Sequence, residues 1–256
     1  MMNNNDEIKI DSQVYGFLAE YAQQDRFSVS MNSMFKTLGS NSMIIPMNIR
    51  EDDFYYTVSG LRSAKLQGVV IAPEYRHNVL ELCDFKSSDV NECGFCDILV
   101  VKEAKLYGDI FIGRAVCTFI NEKKVASLAL YGSGALAKAI LLHVKNSSVK
   151  KVTLFNDRVE SCMELLNTLE GKLEGVEIDI ERACSDSKAD FSTFDMAINV
   201  ANAEKLFSEI QSAKIMVDFA KSNSPFSECS SCTYAGYDDI LPYLNTEAYN
   251  IFEGKK

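Results

Sequence analysis

The sequence predicts an α/β protein of two domains, a mixed α/β domain followed by an open, mostly parallel sheet with helices on its faces. Three observations predict it. Short apolar runs alternate with amphipathic stretches almost from end to end, the rhythm of strands and helices in a layered fold. A glycine loop, YGSGALAKA at residues 131–139, stands between an apolar run and a helical one. With 256 residues, 47% of them hydrophobic, the chain is near the size at which single cores give way to two.

The elements follow in order. QVYGFLA and SMIIPMNI read as strands, with a helical segment from Ser33 to Leu38 between them. DDFYYTVSGLRSAK is helical and LQGVVIA is a strand. A further helix around His77 to Cys83 leads to the apolar strand DILVV and a short extended piece, KLYGDI. The main boundary falls in a helical segment near residues 112–123. Past it, VASLALYG is a buried strand, SGALAKAILLHV a helix, KKVTLFND a strand, and RVESCMELLNTLEG a helix closed by a glycine. VEIDIE, FDMAINV and KIMVDFA continue as strands, with a helix at AEKLFSEIQSA and a polar loop at KSNSPFSECSSCTYAG. YDDILPYLNTEAYNIF is an amphipathic helix interrupted by its proline. The expected domains are residues 1–117, residues 118–237, and a C-terminal helix, 238–256, that packs back on the first.

Composition excludes several classes of partner. A net charge of −10 with no long basic run argues against nucleic acid or an anionic membrane surface. No apolar run approaches the eighteen or so residues of a membrane span, and MMNNNDEIKI lacks the pattern of an export signal. The expectation is a soluble, cytoplasmic protein, monomer or homodimer, with a small-molecule ligand and reduced cysteines.

Several strings, in order, resemble the shikimate/quinate dehydrogenase family. Gly16, Asn32, Phe35, Leu38 and Gly39 fall at the spacing of its opening motif. GLR at 60–62 and Gly68–Val69 match the next, and GFCDI (94–98) and GDIFIG (108–113) resemble its G-A-V-N-T and G-Y-N-T-D-G. Ile198–Asn199 and the FEG near the C-terminus continue the series. The resemblance implies a substrate-binding domain followed by a Rossmann-like dinucleotide-binding domain. It also implies an NAD(P)-dependent oxidoreductase that uses a lysine and an aspartate to relay the substrate's hydroxyl proton.

Those two positions fall on Arg76 and Ile112. Arginine stays protonated and can orient an anion but is a poor base; isoleucine can do neither. The family's S-x-S serines fall on Asp25 and Phe27, although Ser28 and Ser30 restore the motif if a gap is allowed. Its N-V-T asparagine and threonine fall on Val70 and Ala72, its V-N-T asparagine on Asp97, and the glutamine of its last helix on Leu244. A site changed in this way disfavours shikimate itself. Two functions remain open: an oxidoreductase acting on another small acid, and a non-catalytic descendant that binds a nucleotide or metabolite.

Gly132, Ser133, Gly134, Ala135 and Ala137 form a G-x-G-x-x-A loop between strand and helix. In that place backbone N–H groups can meet a dinucleotide's diphosphate at the helix N-terminus. The bland alternative is a tight turn. At the end of the next strand stand Asn156, Asp157 and Arg158. A carboxylate there suits a ribose diol and repels a 2′-phosphate, so NAD is favoured over NADP, unless Asp157 merely caps the following helix.

Arg76, Asp97 and Asp25 can be read as a cleft constellation for a zwitterionic ligand or as a solvated salt-bridge network. Cys93 and Cys96, with Cys229 and Cys232, are two C-x-x-C pairs whose spacing fits zinc or thiol redox chemistry. They lack the usual context and read as free thiols. His143 suits a helix C-terminus, and His77, next to Arg76, is a candidate proton carrier.

Overall fold

A computed structural model describes residues 12–183, 188–201, 209–219, 226 and 231–254. The chain divides into two compact units: residues up to Phe111 together with those from Asn245 onward, and Ile112–Leu244.

In the first unit β1 (Gln13–Ala19) is followed by α1 (Phe27–Thr37), β2 (Ser42–Asn48), α2 (Glu51–Gly60) and β3 (Leu66–Ile71). Then come β4 (Phe85–Lys86), α3 (Ser88–Cys93), β5 (Ile98–Lys102) and β6 (Lys105–Asp109). The sheet order is β2-β1-β3-β5-β6-β4. β1 runs parallel to β2 and β3, whereas β5 is antiparallel to β3 and β6, so the sheet is mixed. Asn32 fixes α1 to the sheet edge: its side chain donates to Ile44 O at 2.8 Å and accepts from Ile44 N at 2.9 Å. Phe35, on the same helix, is buried and stacks on Tyr15 of β1. Tyr15 in turn stacks on Phe252 with ring centroids 4.0 Å apart.

The second unit opens with α4 (Ile112–Glu122), whose residues 112, 115, 116, 119 and 120 form a buried stripe at helical spacing. It continues with β7 (Ser127–Tyr131), α5 (Ala135–Val144), β8 (Lys151–Asn156), α6 (Val159–Asn167) and β9 (Glu177–Arg182). β10 (Lys188–Asp190), β11 (Met196–Asn199), β12 (Glu209–Gln211), β13 (Ile215–Asp218) and β14 (Thr233–Ala235) precede α7 (Tyr237–Phe252), whose last residues belong to the first unit. Six parallel strands lie in the order β14-β13-β11-β7-β8-β9. Renumbered from β7, this is 6-5-4-1-2-3, the doubly wound arrangement of a Rossmann fold. β9, at the edge, alternates half-buried isoleucine with exposed acid, while β7 and β8 are buried on both faces.

Asp195 ties the N-terminal ends of this sheet together. Its carboxylate accepts from Ala126 N at 3.0 Å, Ser127 N at 3.1 Å and Lys214 Nζ at 2.6 Å. The Lys214 ammonium holds its pKa down to about 2, the backbone donors adding to the effect.

The expected elements differ from the observed ones in several places. α1 starts at Phe27, well before Ser33, because the Asp25 carboxylate takes the Phe27 N–H at 2.8 Å and so opens the helix. The helix expected at His77–Cys83 is a 3₁₀ helix, Asn78–Leu82. α6 ends at Asn167, short of Gly171. Of the helix expected at AEKLFSEIQSA, Glu209–Gln211 is strand β12, paired with β10, and residues 202–208 lie outside the described residues. The polar loop ends in β14, and most of its earlier part, Cys229 included, also lies outside them. Pro242 does not interrupt α7: it removes one N–H from the ladder and the helix continues. No described helix is long and apolar enough to cross a membrane.

Candidate functional site

The glycine loop sits at the C-terminal end of β7, where the strand order reverses: β8 lies on one side of β7 and β11 on the other. In doubly wound sheets ligands bind outside the carboxyl ends of the strands at such a point. Gly132 adopts φ +115°, which L side chains rarely adopt. A β-carbon on it would also lie 2.9 Å from Ala201 N, just past β11. This glycine is therefore required by packing. Gly134 differs: it is exposed, its φ is −82°, and a β-carbon on it would meet nothing within 4 Å. It stands as the N-cap of a ten-residue helix, α5, with no side-chain cap, so no side chain at that position covers the first N–H groups.

Ser133, between the glycines, accepts a hydrogen bond from Asn156 Nδ2 at 2.7 Å, which joins the loop to the end of β8. Ala135 is half-buried and Ala137 fully buried, letting α5 sit close to the sheet. Asn156 Oδ1 accepts from Arg158 N at 3.1 Å, so Asn156 organises this turn. Asp157 and Arg158 are exposed, and the N-cap of α6 is Arg158, without a side-chain cap. The expectation that Asp157 caps α6 is thus corrected. Behind the loop lies Cys162, which the sequence did not single out. Burial pushes its thiol pKa up, and a hydrogen bond with Ser133 partly offsets this.

In the first unit the predicted residues have definite structural tasks. Asp25 opens α1. Phe27 is a core aromatic, 2% exposed, stacked on Phe17 and near Phe111. Asp97 is fully buried and accepts the Phe111 N–H at 2.9 Å, while its own carbonyl accepts from Ile71 N at 2.8 Å. It thereby ties together the ends of β3, β5 and β6. Arg76 is half-buried; its Nε donates to Ile71 O at 3.4 Å, and its guanidinium lies 5.9 Å from the centre of the Phe95 ring. His77 Nδ1 bonds Gly94 O at 2.8 Å. The structure therefore gives Asp25 and Asp97 backbone partners. In the second unit, Ile112 and Leu244 are both buried.

Two buried polar atoms stand out against this background. Ser28 Oγ and Asn245 Oδ1 have no hydrogen-bond partner among the described residues, in side chains that are 3% and 1% exposed. Asn245 Nδ2 donates to Ser30 Oγ at 2.6 Å. Unpaired buried oxygens cost about 1–3 kcal/mol each, and a ligand's hydroxyl or bound water would relieve that. The S-x-S spacing of Ser28 and Ser30 was the available clue. Asn245 had one as well, being a polar residue beside Leu244 and Leu241 on the apolar stripe of α7. Among the described residues no group of three or more His, Cys, Asp or Glu could hold a metal ion.

No family model matches the chain. It is 24% identical over 158 residues to the NADP(+) shikimate dehydrogenase of Pyrococcus furiosus, a match covering 60% of this chain and 57% of that protein. The corresponding enzyme of Clostridium beijerinckii is 21% identical, over 58% of this chain and 56% of its own. The chain thus matches less than three fifths of the length of these relatives. Solved structures match nearly throughout. The shikimate dehydrogenase of Aquifex aeolicus superposes with a TM-score of 0.74 at 15% identity, covering 97% of this chain and 95% of that one. A 5-ketofructose reductase of Gluconobacter superposes at 0.77 with 14% identity, covering 96% and 94%. With its mixed first unit and its Rossmann-like second unit, the chain has the fold of the solved shikimate dehydrogenases and is similar in sequence, over part of its length, to curated members of that family.

Proposed function

We propose that the chain is an NAD(P)-dependent oxidoreductase acting on a small acid other than shikimate. The observation that carries this reading is the contrast between the two loop glycines. Gly132 is needed by the fold, whereas the bare position at Gly134 serves no packing purpose and fits the approach of a diphosphate. The residues present therefore suit a dinucleotide.

The N–H groups of the first turn of α5 would hold the diphosphate, with Ser133 and Asn156 fixing the loop beside it. Asp157 would accept from a ribose diol, which favours NAD, and Arg158 is the adjacent cation that a 2′-phosphate would need. When bound, the nicotinamide exchanges a hydride with the substrate carbon. In the first unit, Ser28, Ser30 and Asn245 would take the polar ligand contacts in place of Asp25, Phe27 and Leu244. Arg76 would orient an anionic group as a permanent cation. An arginine is a poor general base, so the proton of the reaction would pass through another group, with neighbouring His77, water or the substrate itself as the candidates.

A second reading, a non-catalytic nucleotide- or metabolite-binding protein, is favoured by Arg76 and Ile112, since neither can relay a proton.

Calorimetric titration with NADH and NADPH tests the cofactor half of the proposal, and saturable binding below millimolar concentration is expected. A screen of hydroxy and keto acids, followed by absorbance of the reduced nicotinamide, then separates the readings. Turnover supports the oxidoreductase. Binding without turnover of any acid supports the second reading, and absence of binding at millimolar cofactor refutes the oxidoreductase.

A further inference from the structure

The C-x-x-C spacing directs attention to Cys93 and Cys96, yet the structure gives Cys96 another neighbour. β6 lies between β5 and β4, and Gly108 on β6 pairs with Leu99 on one side and Lys86 on the other. Cys96 lies just before β5 and Cys83 just before β4. Their sulfurs converge over Gly108 from the segments that lead into the two flanking strands. A β-carbon built on that glycine would lie 2.8 Å from Cys83 Sγ and 3.1 Å from Cys96 Sγ. The missing side chain is what leaves room for both.

We propose that Cys83 and Cys96 form a reversible intramolecular disulfide across Gly108, a redox modification site in the first unit. In the dithiol form Cys83 Sγ donates to Val79 O at 3.4 Å and Cys96 Sγ to Ile98 O at 3.1 Å, which holds each sulfur in place. Cys96, as a donor to the Cys83 thiolate, is the main reason the Cys83 pKa is drawn down, while burial pushes that of Cys96 up, so Cys83 reaches the thiolate first. Cys83 is also the half-exposed member, and Cys96 is buried.

A hydroperoxide supplies the oxidant. The Cys83 thiolate attacks the terminal peroxide oxygen, the O–O bond breaks, and the departing oxygen leaves as water or alcohol, giving a sulfenic acid. Cys96 Sγ then attacks the Cys83 sulfur, forming the S–S bond and releasing hydroxide, which takes the Cys96 proton and leaves as water. Two electrons pass from the thiols to the peroxide, and a dithiol reductant returns them. The bond would bear on its surroundings directly: Cys96 N donates to Arg76 O at 3.0 Å, and Asp97, the next residue, holds Phe111.

The test uses the full chain treated with hydrogen peroxide, alkylated without reduction and digested with trypsin. Cleavage at Arg76, Lys86 and Lys102 puts Cys83 on one peptide and Cys93 with Cys96 on another. A linked pair of these peptides, lighter by two hydrogens and separated by dithiothreitol, is expected. It should persist in Cys93→Ser and vanish in Cys83→Ser, both checked for native circular dichroism. A bridge confined to the second peptide, or an alkylated or over-oxidised Cys83 with no linked pair, would overturn the proposal. Neither outcome depends on whether the chain binds a dinucleotide.

Discussion

Alanine substitutions at the two loop glycines should have opposite effects on folding and binding. At Gly132 the new side chain meets a φ of +115° and sits 2.9–3.1 Å from Ala201 backbone and β-carbon atoms. Backbone strain of about 1–3 kcal/mol adds to overpacking of similar size, so Gly132→Ala should lose about 2–5 kcal/mol. At Gly134, φ is −82° and no atom lies within 4 Å of the added carbon. The loss there should stay within about 1 kcal/mol, the scale of exchanging glycine for alanine at an N-cap. The same methyl stands where the diphosphate would approach α5, and a displaced charge-assisted contact of about 1.4–2.8 kcal/mol is a 10- to 100-fold loss in affinity. Urea unfolding measures the first quantity and NADH titration the second. If Gly134→Ala binds both nicotinamide cofactors as well as the parent protein does, the open helix end is not the cofactor site. Should Gly132→Ala unfold at the parent's urea concentration, the packing argument fails.

Other substitutions probe the remaining pieces. Ser28→Ala removes a buried, unpartnered hydroxyl, so the ligand-free protein should gain up to about 1 kcal/mol while its thermal shift with a binding acid shrinks; a loss of more than about 1 kcal/mol would show that the hydroxyl is already satisfied. Asp157→Arg should move the NADH to NADPH affinity ratio at least about tenfold toward NADPH, and an unchanged ratio would remove Asp157 from the site. Asp195 is held at about 2, against roughly 3.9 when unfolded, so its contribution to stability is complete above pH ~4 and is lost as the pH falls toward 2. Lys214 is 75% exposed, so solvent screening reduces that contribution to about 1 kcal/mol. Asp195→Asn should lower the urea midpoint at pH 7 and flatten its decline between pH 4 and 2; a decline as steep as the parent's would assign acid sensitivity to other carboxylates.

How far the sequence reached depended on the length over which a pattern could be read. The strands buried on both faces, such as β7 and β8, are continuous apolar runs, and the loop after β7 carries its glycines in the open. β4, β10, β12 and β14 are two or three residues long, too short for alternation to show. Their place comes from a neighbouring strand. α1 was misread because FSVSMN has serines and a valine where a helix former would announce the first turn, and the start is set by a side-chain bond from Asp25. At the site, spacing led to Asp25, Phe27 and Leu244, one or a few positions from side chains whose buried oxygens remain unpaired. Which way a residue faces is decided by the helix it joins, and that was the missing quantity. Cys83 and Cys96 meet through a sheet pairing across β6, which no local spacing records.

The stacking of Phe252 on Tyr15 has a bearing on the order of synthesis. The ring of Phe252 also lies against Gly68, so it covers part of the face of β1 and β3, which precede the second unit in the chain. Domains usually fold as they emerge, first made first finished. Here every described strand of the second unit precedes Phe252 of the first. The apolar face of β1 and β3 must therefore wait, uncovered by this ring, while the second unit is translated.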